Sequence, residues 1–397
     1  MLSAGTAFDG ARFWPDGALV LVEGALITAV LPGGSPAPSG WPVLEYPGTV
    51  LPGLIDTHVH LVGGGEPDAL ALDAGRTAAE RDQIIARSLQ QQLAQGITTV
   101  RDLGDTQWSV LDRDMRDGEP FVVASGPPVT SPGGHCAAMG GEAAGLAALR
   151  ARVAERQEHG AQIIKIVVSG GAMTAGSDLL QLQFGVGEVR LVVEEAHNRG
   201  LPVTAHAHSV SSVEVCADAG VDGIEHCTCL TATGIRTPER LTAALAAGQI
   251  QVCPTFGRLP GLPPSPQAIA VMDRTGMTMA ARFEQIGKLY AAGVPILAGS
   301  DAGIHPAKPH GVLAHSVAEL VQAGLPLPAA LAAATSAAAD ACGLGRDRGR
   351  LRARAAADLL VVDGDLARDV TALTRPQLVV MRGRGIRISG AAPPGQN

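Results

Sequence analysis

The chain has 397 residues, 46% of them hydrophobic and 3% aromatic, with 30 Lys+Arg against 38 Asp+Glu. So much apolar content excludes a disordered polymer, and the length suffices for one large domain or two to three ordinary ones. A formal charge of −8 without basic blocks argues against nucleic acid or an anionic membrane surface as a partner.

Residues 1–5 lack the charged start and apolar run of a signal peptide. No uninterrupted apolar stretch reaches about 18 residues, so no membrane span is expected. Residues 18–22 and 25–30 flank a Glu23-Gly24 turn in a hairpin pattern, and a Pro/Gly/Ser-rich loop follows over 31–42. Short β-branched runs then recur at 53–60, 97–102, 121–125, 162–168, 202–208, 223–227, 251–255 and 295–301. Segments of helical period lie between most of them, among them 79–95, 145–159, 188–199 and 211–219. At the C-terminal end, 357–362 and 378–383 read as strands again. Eight βα units within about 300 residues match the size of a closed (β/α)8 barrel of the α/β class. An open doubly wound sheet is the alternative, but no Gly-rich phosphate loop follows its first strand. The six cysteines, Cys136, Cys216, Cys227, Cys229, Cys253 and Cys342, form no CxxC pair and are too sparse for a disulfide framework. A cytoplasmic protein with small buried thiols is the expectation.

The informative observation is where His, Lys and Asp fall. His58 and His60 end the first run, and a period of two points both imidazoles to one face. Lys165 interrupts the apolar run 163–168, His206 ends the fifth run, His226 the sixth and Asp301 the eighth. In a barrel the C-terminal strand ends converge on one mouth, where such folds place their chemistry. Singly, each residue has a plain structural reading. A strand histidine packs more often than it ligates, a lysine stem can snorkel, and Asp301 can cap a helix. Six such groups in order across five strands are not explained by packing. Neutral imidazole and carboxylate suit zinc and similar divalent ions. A buried, unpaired ammonium is costly, so Lys165 must be neutral or modified. A neutral lysine amine can add carbon dioxide to give a carbamate, a two-oxygen anion able to bridge two ions.

Over nearly its whole length the chain resembles the metal-dependent amidohydrolase superfamily. The motifs are 52–60 (PGLIDTHVH), 96–102 (GITTVRD), Ile164-Lys165-Ile166 leading to Ser169-Gly170-Gly171, 204–208 (TAHAH), 223–226 (GIEH) and 298–303 (AGSDAG). Near the end, 334–338 and 357–361 fit the same pattern. The lysine stretch and the loop Pro132-Gly133-Gly134-His135 are most similar to the prolidase and carboxypeptidase-like branch, a relative of imidazolonepropionase. The resemblance implies a (β/α)8 barrel over 53–347 and a small β-sandwich built from 1–52 and 348–397. It implies one metal on His58, His60 and Asp301 and a second on His206 and His226. Carboxylated Lys165 and a hydroxide would bridge the two ions, zinc foremost. Asp301 would also be the general acid/base, and His135 would contact the substrate carbonyl or carboxylate.

The chain departs from that branch at His208, where tyrosine is usual and helps bind a substrate carboxylate. His208 is a candidate substrate contact, as is His305 in the loop after the eighth strand; a partner or structural role is open for His208. Cys136 stands where glycine is commoner and reads as structural, as does the Cys227–Cys229 pair. Arg101 and Asp102 read as an ion pair under the site. The expected function is hydrolysis of an amide bond in a dipeptide or N-acyl amino acid. A cyclic amide, carbamate or aryl amide is the alternative, and a non-catalytic relative would have lost ligands. A homo-oligomer acting on a small-molecule amide, with neither nucleic acid nor membrane as partner, is the expected working form.

Overall fold

The first inner strand, Leu54–Val59, is buried at every position, as a strand covered on both faces must be. It opens a parallel series. Leu54 pairs with Ile97 and Val59 with Asp102 of strand Ile97–Asp102, whose Thr99 and Asp102 pair with Phe121 and Ala124 of the next strand. A second parallel series joins strands Ile164–Val167, Val203–Ser209, Gly223–Thr231 and Gln251–Cys253. Single parallel bridges link the two series, Val129 to Ile166 on one side, then Val252 to Ile296 and Val59 to Ala302 on the other. The pairing therefore returns to the strand from which it started. This computed structural model describes residues 1–174 and 176–387.

The expected eighth strand, 295–301, is the one that departs from regular pairing. Only its two ends bridge, and between them Asp301 takes a left-handed φ of 57°. A ladder cannot run through that conformation, so this segment is held by isolated hydrogen bonds such as Asp301 N–H to the His58 carbonyl at 2.7 Å. The other runs lie within a few residues of their expected bounds.

Helices cover the outside. The longest, Ala78–Ala94, starts at a capping box in which Thr77 Oγ1 accepts from Glu80 N–H and Glu80 accepts from Thr77 N–H at 2.7 Å. Removing that cap costs about 1 kcal/mol. Ile85, Leu89 and Leu93 fall on one face and are buried in the core. Gly96, at φ +78°, ends the helix and turns the chain into the second strand. A Cβ there would lie 2.6 Å from the Leu360 side chain, so glycine is required twice over.

Leu360 belongs to a sheet made by both ends of the chain. Its strands are Arg384–Arg387, Pro376–Met381, Leu359–Val362, Leu44–Pro52, Leu2–Phe8, Ala18–Glu23 and Leu26–Pro32, in that spatial order, with Phe13–Trp14 beside Leu2–Phe8. The expected hairpin is present, with Glu23 opposite Leu26. Alternate residues serve different cores. Val50, Leu359, Val361 and Val380 pack with Leu2, Val20 and Ile27, whereas Leu51, Leu360, Val362, Val379 and Met381 pack with the main body. The period of two thus docks one face of the sheet on the helices. Truncating Leu360 to alanine would cost about 2–5 kcal/mol. No helix among the described residues is long and apolar enough to cross a membrane.

Candidate metal centre

His58 and His60 leave the first strand on the same side, both buried. Each has its Nε2 3.4 Å from Asp301 Oδ1. Their Nδ1 atoms face groups that only accept. His58 Nδ1–H donates to Glu225 Oε2 at 2.8 Å and His60 Nδ1–H to the Gly104 carbonyl at 3.0 Å. Both rings therefore present the Nε2 lone pair toward Asp301, the tautomer a metal ligand needs. Burial would raise the Asp301 pKa, but His58, His60 and Lys308 around it hold it well below the usual carboxylate range. Its backbone is fixed by the left-handed turn and by Asp56, which accepts from Ser300 N–H at 2.9 Å.

A second set of imidazoles faces the first. His206, His208 and His226 have ring centroids 4.5–4.6 Å apart, and their ligand atoms lie within 4.8 Å of one another. His206 Nε2 donates to the Gly170 carbonyl at 3.1 Å, which leaves Nδ1 as its lone pair. His226 Nδ1 donates to Thr255 Oγ1 at 2.8 Å, and Thr255 passes its own proton to the Pro254 carbonyl at 2.8 Å, so Nε2 of His226 is bare. Burial lowers the pKa of His58 to about 4 and that of His208 to about 3, and takes His206 and His226 well below 6.5. Neutral imidazoles are the ligating form. His60 differs: burial lowers it, but the Asp301 carboxylate more than offsets this and the pKa rises.

The sixth strand is bent to deliver His226. Pairing with the fifth strand jumps from Ala207–His226 to Ser209–Leu230, and His226 and Cys227 take up the excess at φ 67° and 47°. Left-handed backbone at non-glycine residues costs about 1–3 kcal/mol each and gathers at functional sites.

Lys165 stands in the fourth strand, opposite Thr204 of the fifth. Its Nζ is buried and has no hydrogen-bond partner among the described residues. Burial lowers its pKa, against the opposing pull of Glu225 and Asp301. An orphaned buried amine amid five metal-competent side chains is the feature a carbamate would satisfy, because two added oxygens could use the space and the ligands. The donor set, imidazole with carboxylate, suits a divalent ion. His58, His60, His135, Lys165, His206, His208, His226, Asp301 and His305 all line one cavity of about 270 Å³.

The amidohydrolase family profile matches residues 49–385. The chain belongs to the amidohydrolase family. That membership makes it a hydrolytic enzyme of amide bonds. An uncharacterized protein of Mycobacterium tuberculosis is 29% identical over 347 residues, 85% of each chain. Ochratoxinase of Aspergillus niger is 28% identical over 212 residues, 45% of this chain and 43% of that one. The crystal structure of A. niger ochratoxinase superposes with a TM-score of 0.80 at 22% identity, covering 100% of this chain and 97% of that one. A Xaa-Pro dipeptidase with bound methionine superposes at 0.82 and 24% identity, covering 97% and 99%. At those identities the structural likeness shows the fold.

Around this family centre the remaining residues fall as follows. His135 lies on its loop with its ring 4.7 Å from His206 and Nδ1 2.8 Å from Thr174 Oγ1, over Gly171, where any side chain would collide with it. His305 is half-buried at the cavity mouth, its Nδ1 accepting from Ala307 N–H at 3.1 Å. Burial pushes the Cys136 thiol up to about 12, which leaves it no nucleophile, and Cys227 and Cys229 are buried. The Arg101–Asp102 ion pair does not form. Consecutive strand residues point to opposite faces, so Arg101 pairs with Glu225 at 3.1 Å while Asp102 accepts from Leu61 N–H at 2.7 Å. Sequence reasoning missed Glu225, Thr255 and Lys308. Glu225 had a signal, a carboxylate inside an apolar strand beside His226. Lys308, whose Nζ donates to the Thr255 and Ser300 carbonyls at 2.7 Å each, had none beyond its nearness to Asp301.

Proposed function

We propose that this enzyme cleaves the amide bond of an N-acyl amino acid or dipeptide-like substrate at a two-ion centre. In this reading His58, His60 and Asp301 would hold one divalent ion, His206 and His226 the other, and carboxylated Lys165 would serve as a ligand to both, with zinc as the expected metal. The observation that carries it is the Lys165 Nζ, buried without a hydrogen-bond partner among the described residues and close to both sets of imidazoles. When bound, the ions supply Lewis acidity toward the substrate carbonyl and an activated water. The chain's own groups do the rest. Lys165 Nζ, whose pKa burial lowers, would add to the carbon of carbon dioxide as one C=O π pair moves onto oxygen, and its displaced proton would pass to solvent, leaving a carbamate anion that could serve as a metal ligand. Asp301 accepts a proton from the attacking water through a carboxylate oxygen and returns it to the leaving nitrogen. Thr174 Oγ1 has a proton to give His135 Nδ1, which leaves His135 Nε2–H as a donor to the substrate. The (β/α)8 barrel of 53–347 and a β-sandwich of 1–52 with 348–397 complete this reading, supported by the closed circuit of parallel pairing and the shared terminal sheet.

His208 favours a second reading, a cyclic amide, carbamate or aryl amide as substrate. Its ring stacks on His226 at 4.5 Å and its Nδ1 bonds Thr228 Oγ1 at 2.8 Å, so it is engaged by the cluster rather than free to replace the usual tyrosine. A hydrolysis screen separates the two. Dipeptides and N-acyl amino acids are set against lactams, carbamates and aryl amides, with metal per chain measured on the same preparation. Turnover of the first group with close to two ions per chain is expected. A metal-free enzyme of full activity would refute the mechanism.

A further inference from the structure

The cavity lining carries both apolar and cationic side chains. Among the apolar ones are Met173, Phe256, Val271, Met272, Met277 and Met279. Val271 and Met272 belong to helix Pro266–Thr275, which Ser265 caps by accepting Ala268 N–H at 3.1 Å. The Ser265 hydroxyl also reaches Met173 Sδ at 4.0 Å, so the excursions after the fourth and seventh strands meet over the cavity. Methionine is unbranched and polarizable, and four of them make a wall that adapts to the shape of an apolar group. An apolar wall this size beside metal-competent groups is more than the small polar face of an amide requires.

The same lining also holds Arg258, Arg282 and Lys308, of which Arg282 is committed to the His226 and Pro254 carbonyls. Arg258 is half-buried and forms no hydrogen bond or ion pair among the described residues. Lys308 lies nearby in the same lining, but its Nζ is engaged by two carbonyls. Both acidic lining residues are committed, Asp301 facing His58 and His60 at 3.4 Å and Glu319 accepting Gly257 N–H at 2.8 Å. A guanidinium is built for bidentate pairing with a carboxylate, and Arg258 has none among the described residues. We propose that Arg258 is the anchor for the carboxylate of an N-acylated amino acid whose bulky apolar group rests on the methionine wall. The assignment deepens the amide-hydrolase reading and rests on it. It also gives this chain a carboxylate contact that does not depend on a tyrosine at position 208.

Binding and cleavage are measured separately. N-benzoyl-phenylalanine and its carboxamide are titrated calorimetrically into metal-loaded wild type, Arg258→Ala and Arg258→Lys. Wild type should bind the acid roughly 10- to 100-fold more tightly than the carboxamide, as a charge-assisted pair implies. Arg258→Ala should bring that ratio close to one, and Arg258→Lys should leave an intermediate ratio. Met272→Ala should weaken the N-benzoyl acid more than the N-acetyl acid. Equal binding of acid and carboxamide by wild type, binding of neither, or a ratio that survives Arg258→Ala would overturn the assignment. Cleavage of both compounds without an acid preference would leave the hydrolase standing and remove Arg258. An acid that binds through Arg258 and is never cleaved, nor any other amide with it, would do the reverse.

Discussion

Glu225 Oε2 lies 2.8 Å from His58 Nδ1, with both side chains almost wholly buried. The other oxygen of Glu225 accepts from Thr204 Oγ1 at 2.7 Å and from Arg101 at 3.1 Å, and Arg101 Nε is itself tied to the Thr57 carbonyl at 2.7 Å. Burial would raise the Glu225 pKa, but His58 and Arg101 hold it well below the carboxylate range. Glu225 is therefore a fixed anion that sets the tautomer and tilt of a ligand it touches. Glu225→Gln should weaken metal binding by about 10–100-fold, read by chelator competition. Glu225→Ala also strands the buried Arg101 and should cost about 3–5 kcal/mol of stability by denaturant titration. Unchanged metal affinity in Glu225→Gln would mean that His58 is oriented by packing alone.

Lys165 makes a prediction with two signs. Lys165→Ala should lower metal from close to two ions per chain to one or fewer, and a short carboxylate such as propionate should restore part of it. In metal-free protein the effect on stability reverses. The wild-type amine is buried without a hydrogen-bond partner among the described residues, and exchanging it for methionine relieves a desolvation cost of about 1–3 kcal/mol. Metal-free Lys165→Met should melt above metal-free wild type, while metal-loaded wild type melts above both. A destabilised metal-free Lys165→Met would show that the amine has a partner after all.

The ligands were legible because of where they stand. A two-residue spacing at a strand end is a local fact, and so is a lysine inside an apolar run. Their supports were not, because a partner is chosen by which strands become neighbours. Arg101 lies next to Asp102 in sequence yet pairs with Glu225, 124 residues away. Thr255 positions His226 from the following strand, 29 residues on. The eighth segment was expected as a strand from its apolar run, but the left-handed Asp301 that spoils its ladder is a tertiary demand, not a propensity. The same holds for His226 at φ 67°. The terminal sheet was half legible: each strand showed in the sequence, but not that alternate residues would serve two different cores.

Acid should destabilise the metal-free protein from neutrality downward. Burial lowers His58 and His135 to about 4 and His208 to about 3, and takes His206 and His226 well below their ordinary 6.5. Below pH 6.5 the unfolded chain binds protons that the folded one refuses, so stability falls as pH falls toward those lower values. Asp301 and Glu225 are depressed from 3.8 and 4.5, and their contribution, present above those values, is lost on further acidification. His60 runs the other way: its pKa is raised, so its contribution is complete below 6.5 and lost above the folded value. Burial raises the carboxyls of Asp56 and Asp105 to about 6 and of Asp102 to about 7, so they too gain stability toward acid. The five lowered imidazoles, joined by His310 at about 4, outweigh these and His60. The melting temperature of metal-free protein should climb between pH 4.5 and 7, and a flat or falling profile would contradict the burial of these rings.

Asp301→Asn separates ligation from proton transfer. Asn tolerates the left-handed φ of 57° about as well as Asp, so the turn that aims this side chain should persist. The amide oxygen can still face the Nε2 atoms of His58 and His60, now 3.4 Å from Oδ1, but it cannot take up a proton at neutral pH. The variant should keep most of its metal by elemental analysis and lose about 10²–10⁴-fold in kcat. Asp301→Ala, by contrast, removes the ligand as well and should lose metal and turnover together. An Asp301→Asn enzyme within tenfold of wild type would move the acid/base role to another cavity group. His135 would then be first in line, because its ring lies 4.7 Å from His206 and its Nδ1 is already held by Thr174.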